Sequence, residues 1–167
     1  MNLPHTHSMS RPDPSVRRAG PDDAEVVGRL LHDFNTEFDD VTPGPTALAE
    51  RVRELLAAGE TTILLGSLGG SESHGLVVLR FRPSIWTRGL ECYVAEMYVI
   101  PDRRGEGLGR ALMEEAIELA RREGADYMDL GTSEDDVAAR ALYESLGFTN
   151  RERLPDGPTM YVYEREL

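Results

Sequence analysis

Three glycines alternate with other residues in a short basic turn, and this spacing suits the binding of a phosphate group. Gly105, Gly107 and Gly109 lie between an apolar run that ends at Ile100 and a helical pattern that begins at about Leu108. Glycine lets a ligand approach the main chain closely. The first turn of a helix adds N–H groups without partners and a partial positive charge. The sequence therefore predicts an anion-binding turn. The cationic side chains beside it are Arg103, Arg104 and Arg110.

Two nucleotide-binding motifs fail to fit this turn, and a third fits. A P-loop requires Lys and Ser or Thr where Arg110 and Ala111 stand, and its spacing fails as well. The dinucleotide fingerprint GxGxxG requires a third small residue, and Arg110 occupies that position. The pattern R/Q-x-x-G-x-G/A fits residues 104–109. It resembles the pyrophosphate-binding signature of the GNAT superfamily of acetyl-CoA-dependent N-acetyltransferases.

A second motif supports this resemblance. Residues 139–148, ARALYESLGF, are similar to the NxxAxxLYExxGF segment of the superfamily, and they follow the glycine turn at the expected separation. The Asn of that segment, which often contacts the pantetheine arm in the superfamily, is replaced here by Asp136. The resemblance covers the chain from about Ser15 to Leu167.

The resemblance implies an α/β (α+β) class, the GNAT fold, in which helices cover both faces of a central mixed, mostly antiparallel β-sheet. The hydrophobic patterns give the order βααββ-βαβαββ. Strands are predicted at 15–18, 61–68, 74–81, 90–100, 125–130, 148–150 and 160–164. Helices are predicted at 21–38, 46–58, 134–146 and from about 108 to a glycine cap at 124. The strand at 125–130 follows a crossover, so it should run parallel to the strand at 90–100.

The resemblance also implies that acetyl-CoA binds as the acetyl-donor substrate. The backbone of residues 97–99 would hydrogen-bond the pantetheine amides, and the glycine turn would hold the diphosphate mostly through main-chain N–H groups. For Arg103, contact with the ribose phosphate and a plain surface position stay open. The predicted cofactor-binding residues are Met97, Tyr98, Val99, Arg103, Arg104, Gly105, Gly107, Leu108, Gly109, Arg110 and Asp136. No metal site is predicted.

Two residues are candidates for the proton transfers that acetylation of an amine requires. Glu96 lies among apolar strand residues, where burial would raise its pKa towards the range of a general base. Its alternatives are an anchor for a cationic amine and a structural ion pair, and Glu91 is a lesser candidate. Tyr143 matches the family tyrosine that often protonates the departing thiolate. Its alternative is an aromatic ring packed on the cofactor arm.

Short stretches at 34–40 and 93–99, together with the glycine turn, also resemble aminoglycoside 3-N-acetyltransferases of the GNAT type. The predicted substrate-binding residues are Asp39, Asp40, Trp86 and Glu96. For Asp39 and Asp40 the alternative is a solvated acidic turn, and for Trp86 it is a packed side chain. We therefore expect transfer of an acetyl group to a primary amine of a small cationic, aminoglycoside- or polyamine-like acceptor. A protein or peptide N-acetyltransferase and a non-catalytic acyl-CoA-binding sensor stay open as alternatives.

Length and charge limit the class of protein further. The 167 residues fit one domain, predicted at 15–167 after a disordered leader at 1–14. A net charge of −12 argues against nucleic-acid binding and suits a cationic substrate. No apolar run is long enough to span a bilayer, and the single cysteine, Cys92, cannot form an internal disulfide. We expect a cytoplasmic enzyme without a membrane partner, and the pairing of many relatives implies a homodimer.

Overall fold

The computed structural model describes residues 12–59, 61–153 and 155–167. Within these residues the chain forms five strands and four α-helices in the predicted order as far as the last helix. They are β1 (Pro14–Arg18), α1 (Ala24–Glu37), α2 (Pro45–Ala58), β2 (Thr62–Leu68), β3 (Gly75–Pro83), β4 (Leu90–Val99), α3 (Leu108–Arg122), β5 (Ala125–Leu130) and α4 (Val137–Ser145). Short 3-10 turns precede α1 and the glycine turn, at Pro21–Asp23 and Pro101–Arg103. The last helix begins at Val137, three residues later than predicted.

The five strands form one mixed sheet in chain order, β1-β2-β3-β4-β5. Each neighbouring pair is antiparallel except β4 and β5, which are parallel. A parallel pair requires a crossover, and α3 supplies it. The predicted fold class, a mixed and mostly antiparallel sheet of the α/β type, is confirmed.

Helices cover both faces of this sheet, as predicted. On one face, α3 buries the apolar stripe of Leu108, Leu112, Met113, Ala116, Leu119 and Ala120 against the sheet. On the other face, α1 and α2 pack over Ile63, Leu65, Leu76 and Tyr98. The two helices approach each other closely because Gly28 lacks a side chain. A Cβ at Gly28 would lie 2.7 Å from backbone atoms of Pro45 and Ala49.

A β-bulge in β4 changes which residues face each helix layer. Val78 pairs with Glu96 while the next residue of β3 pairs with Val94, so Ala95 is the extra residue. Before the bulge, Val94 packs on the α3 side, and after it Met97 takes that side. Tyr98 packs on the α1 side. Since side chains alternate along a strand, Glu96 shares the α1 side with Tyr98.

The last two predicted strands are wrong for the described residues. Residues 148–150 and 160–164 form no strand in the described structure. The two segments are joined instead by an isolated bridge between Arg151 and Thr159, with two neighbouring main-chain hydrogen bonds. Pro158 has no N–H for a ladder. Tyr161, Val162 and Tyr163 are between 68% and 90% exposed. Strand propensity depends on packing against a neighbour, and among the described residues these side chains bury little of their surface.

The predicted leader lies mostly outside the described residues. Its last residue, Pro14, already belongs to β1, so the strand begins one residue earlier than predicted. No helix in the described part of the chain has the length and apolar character needed to cross a membrane.

Candidate active site

A cleft opens where β4 and β5 separate. The two strands pair from Leu90 only as far as Val94, which is opposite Leu130. Beyond that point β4 continues to Val99 with β3 as its sole strand partner among the described residues. The resulting cavity of about 720 Å³ lies between the end of β4, the segment after β5, α4 and the end of α1. That volume is typical of a site for a small molecule.

The glycine turn stands at one end of this cleft and is open to a ligand. Gly105 and Gly107 have φ angles of 75° and 90°, a conformation that favours glycine. A Cβ at Gly105 would meet no atom within 4 Å. No side chain caps α3, and among the described residues the main-chain N–H groups of 105–110 donate no hydrogen bond. Leu108 is buried, so its main chain alone faces the turn. The geometry suits the predicted anion site.

The three arginines of the turn are already engaged by neighbouring groups. Arg104 donates to both carboxylate oxygens of Glu37, at 2.7 and 2.8 Å. Arg110 donates to the hydroxyl of Ser145 at 2.6 Å and lies 3.6 Å from Glu114. Arg103 lies 3.7 Å from Glu106. Their charges surround the turn, but each guanidinium has a partner within the protein.

Glu96 lies at the bulge of β4 and lines the cleft. Burial raises the pKa of its carboxyl above the ordinary value of 4.5, and the positive charge of Arg80 partly opposes this rise. A raised pKa brings a carboxylate closer to the range where it can accept a proton from an amine near neutral pH. The structure therefore gives Glu96 the surroundings that the sequence predicted.

Tyr143 lines the cleft from α4, opposite the β4 side. It is 8% exposed, and its ring packs edge-on against Phe148 with centroids 6.0 Å apart. Burial raises the pKa of its phenol, and the negative charge of Asp136 raises it further. The hydroxyl is therefore protonated at neutral pH and able to donate.

Asp136 caps the N-terminus of α4, where its side chain accepts a hydrogen bond from the backbone N–H of Ala139 at 3.0 Å. It also lines the cleft. An Asn side chain could make the same cap through its carbonyl oxygen. The helix geometry at this position therefore survives the replacement of the family's Asn, although the amide donor is lost.

The backbone of Met97, Tyr98 and Val99 forms the β4 wall of the cleft. The carbonyl of Val99 accepts a hydrogen bond from Arg104 Nε at 2.9 Å. Gly109 packs under this wall, where a Cβ would lie 3.1 Å from Met97 Cε. The structure thus brings the predicted strand end and the glycine turn together.

The predicted acceptor residues divide into two groups. Glu96 lines the cleft, whereas Asp39, Asp40 and Trp86 do not. Asp39 and Asp40 are exposed after the end of α1, and Trp86 is 87% exposed in the loop between β3 and β4.

The end of α1 instead contributes Phe34, Glu37 and Phe38 to the cleft. Phe34 lies between Phe38 and Tyr98, at centroid distances of 5.3 and 5.2 Å. The two phenylalanines belong to the helical stripe of α1, which in the sequence indicates a buried face. The only signal for Glu37 in the sequence is its position between these two phenylalanines.

Comparison with known proteins identifies the class of enzyme to which this chain belongs. The acetyltransferase (GNAT) family model matches residues 23–148. The chain therefore belongs to the GNAT family of acetyltransferases, and the predicted family, fold and enzyme class, an N-acetyltransferase, are confirmed.

Individual relatives place the chain more closely within the family. A proposed acetyltransferase from Arthrobacter sp. FB24 has 43% identity and a TM-score of 0.82, over 96% of this chain and 99% of that one. The aminoglycoside N(6')-acetyltransferase type 1 of Stenotrophomonas maltophilia is 27% identical, over 84% of this chain and 90% of its own length. The mycothiol acetyltransferase of Beutenbergia cavernae is 39% identical over 69 residues, 40% of this chain. This chain spans 23% of that relative's length.

The predicted resemblance to aminoglycoside acetyltransferases is thus confirmed at the level of N-acetyltransfer. The named position in the Stenotrophomonas relative is N(6'), whereas the sequence resemblance was to the 3-N type.

Proposed function

We propose that this protein moves an acetyl group from acetyl-CoA to a primary amine of a small cationic acceptor, by direct attack of the amine on the thioester. One observation carries the proposal. A half-buried carboxylate, Glu96, lines the same cleft as the buried phenol of Tyr143, and the glycine turn with unpaired main-chain N–H groups lies at the end of that cleft.

The donor fits this cleft from end to end. The diphosphate binds at residues 105–110, where the start of α3 offers N–H groups and the positive end of its dipole. The pantetheine arm lies between the separated strands, along the main chain of residues 97–99. This path brings the thioester between Glu96 and Tyr143. Asp136 lies on the α4 side of the arm.

The acceptor nitrogen must lose protons and the departing sulfur must gain one, and the cleft offers a group for each task. Glu96 takes a proton from the ammonium group of the acceptor, directly or through a water, and leaves a nitrogen lone pair to attack the carbonyl carbon. The new C–N bond forms, the C–S bond breaks, and Tyr143 donates its proton to the departing sulfur. The nitrogen, positively charged after the attack, then releases its second proton through water to the phenolate, which leaves a neutral amide. Glu96 gives its own proton to solvent before the next turnover.

The charge of the cleft favours a cationic acceptor. Its lining includes four carboxylates, those of Glu37, Glu96, Asp135 and Asp136, and a single guanidinium. Since that guanidinium is paired with Glu37, the lining described here has more carboxylate groups than cationic groups, and none of the other three carboxylates forms an ion pair within it. The similarity to an aminoglycoside N-acetyltransferase over most of both chains supports the same class of acceptor. The cytoplasmic location stays a prediction from the sequence, and the homodimer stays a prediction from the resemblance.

Release of coenzyme A as a thiol tests this proposal directly. Purified protein is incubated with acetyl-CoA and spermidine, kanamycin, a lysine-containing peptide or glucose, the last as an acceptor without an amine. A thiol-reactive dye reads out the product. The protein contributes little background, because its single cysteine, Cys92, is buried and burial raises the pKa of its thiol to about 11.

The panel separates the three functions that the sequence leaves open. Release that depends on spermidine or kanamycin supports the proposal. Release with the peptide alone makes the protein a peptide N-acetyltransferase. Tight coenzyme A binding without release for any amine makes it a sensor.

A further inference from the structure

One ion pair connects the two halves of the cleft. Arg104 comes from the glycine turn, and Glu37 is the last residue of α1, 67 positions earlier in the chain. The guanidinium uses Nη1 and Nη2 for the two oxygens of Glu37 and Nε for the carbonyl of Val99. Its carbon also lies 5.7 Å from the centre of the Tyr98 ring. Bidentate pairs of this kind fix geometry as well as charge.

Arg104 is thus held in place by contacts with three residues, Glu37, Val99 and Tyr98. Its hydrogen bonds lower the pKa of Glu37, so the carboxylate is ionised at neutral pH and the pair stays charged. Three of the five N–H groups of the Arg104 guanidinium are used within the protein, whereas the main-chain N–H groups of 105–110 donate no hydrogen bond among the described residues and offer most of the donors for a diphosphate. The side chain of Arg104 therefore has a geometrical task.

That task concerns the end of α1. Among the described residues, the bonds from Arg104 to Glu37 are the only side-chain hydrogen bonds that join α1 to residues 101–110. On either side of Glu37 in sequence stand Phe34 and Phe38, which line the acceptor side of the cleft. Moving the turn by a fraction of an ångström would therefore move the aromatic wall with it.

We propose that Glu37 is a positioning residue: by holding Arg104 it fixes the end of α1 against the glycine turn, and it couples the donor site to the acceptor site. This rests on the proposed function, since it assigns the turn to the donor and the α1 end to the acceptor. Coupling is reciprocal, so occupation of the turn must steady the end of α1, and an acceptor must bind better to the donor complex.

Hydrogen exchange with coenzyme A as the probe tests this without any turnover. The amides of Phe38, Asp39 and Asp40 donate to the carbonyls of Asn35 and Thr36 in the last turn of α1. In the wild type, saturating coenzyme A should slow their exchange by about fivefold or more, the lower end of typical coupling. In Glu37→Gln the affinity for coenzyme A should stay within about threefold, and this slowing should disappear.

A matched control comes from the same helix. Glu25 pairs with Arg53 of α2, and among the described residues it forms no hydrogen bond or ion pair with the turn. Glu25→Gln should retain the full slowing at 38–40 that coenzyme A causes. General loosening of α1 would speed exchange equally with and without coenzyme A, so the ratio of the two rates separates it from lost coupling. Melting temperatures of the variants report any loss of overall stability.

Kinetics with the best amine of the panel give a second readout. Glu37→Gln should raise the KM for the amine about fivefold or more, with kcat and the KM for acetyl-CoA within about twofold. Equal slowing of exchange in Glu37→Gln and wild type, or no slowing in the wild type at saturation, would overturn the coupling alone. Failure of coenzyme A to bind the wild type would instead remove the proposed function, and the coupling with it.

Discussion

Replacement of Glu96 by Gln tests whether its carboxylate acts in catalysis or stabilises the fold. The amide has the same shape but cannot accept a proton from an ammonium group. Loss of a positioned general base typically slows turnover by 10²–10⁴-fold, which corresponds to about 3 to 5 kcal/mol in the barrier. We expect kcat/KM for the best amine to fall within this range, while the affinity for coenzyme A changes by less than about threefold.

The same substitution should cost no stability at neutral pH. Burial raises the pKa of Glu96 in the folded protein, so the folded state disfavours the ionised form. The sign follows from linkage: the contribution of Glu96 to stability is fully present at low pH and is lost as the pH rises through its folded pKa. Gln carries no charge at any pH. Relative to the wild type, Glu96→Gln should therefore gain stability from pH 5 to pH 8, and its melting temperature at pH 8 should equal or exceed that of the wild type.

The assay is thiol release between pH 5 and 9 with a single amine, together with thermal unfolding at pH 5 and pH 8. The wild-type rate should rise with pH through the pKa of Glu96, and the variant should lose that step. Glu91→Gln is the matched control, because Glu91 lies on the same strand but pairs with Arg82 at 2.7 Å outside the cleft. Its activity should stay within about twofold of the wild type.

Two results would refute this reasoning. An unchanged pH–rate profile in Glu96→Gln would remove Glu96 as the base. A variant that melts lower than the wild type at pH 8 but not at pH 5 would show that the ionised carboxylate is stabilised in the fold, as expected of an ion pair.

Four further predictions follow from the geometry. Tyr143→Phe should slow turnover by about 10²-fold or more while calorimetry shows coenzyme A binding within about threefold; equal losses would make the ring a packing residue. Gly107→Arg should abolish coenzyme A binding by filling the turn, whereas Gly59→Arg, with a similarly positive φ of 74° but far from the turn in sequence, should keep it. Leu112→Ala, at a fully buried site, should lower the free energy of unfolding by about 2–5 kcal/mol in urea titrations. An ion pair lowers the pKa of Asp23 to about 2. The ionised carboxylate therefore stabilises the fold above about pH 4, and this contribution decreases as the pH falls towards 2. Asp23→Asn should therefore be less stable than the wild type at pH 7 and equal to it near pH 2.

The donor side of the cleft could be predicted because its signals are local. The change from an apolar strand to alternating glycines and then to a helical stripe occurs within residues 94–120. The positive φ angles of Gly105 and Gly107 are what such a turn demands. The sequence also predicts a burial-shifted Glu96, since apolar neighbours on a strand are enough to indicate desolvation.

The acceptor side of the cleft could not be predicted in the same way, because it depends on contacts that no local sequence pattern contains. Arg104 and Glu37 are 67 positions apart, and nothing in the sequence of either segment indicates that the two side chains pair. The bulge at Ala95, which brings Glu96 to the α1 side, arises from pairing with β3 and is invisible in the sequence of β4. Asp39 and Asp40 were predicted to bind the acceptor because they follow α1. In the structure, the residues at the end of α1 that precede them line the cleft instead.

The prediction of a strand near the end of the chain is wrong for a related reason. The run from Met160 to Tyr163 has the aromatic and β-branched residues of a strand, but a strand also needs a partner with apolar surface to bury. In the described structure these side chains are exposed beyond the single bridge between Arg151 and Thr159.

The position of Trp86 determines what intrinsic fluorescence can report. As the only tryptophan of the chain, it stands 87% exposed, with its backbone N–H bonded to the hydroxyl of Ser84 in the loop between β3 and β4. An indole surrounded by water already emits at long wavelength in the native protein. Its emission will therefore shift little when the sheet unfolds, and circular dichroism is the better signal for denaturation of this molecule.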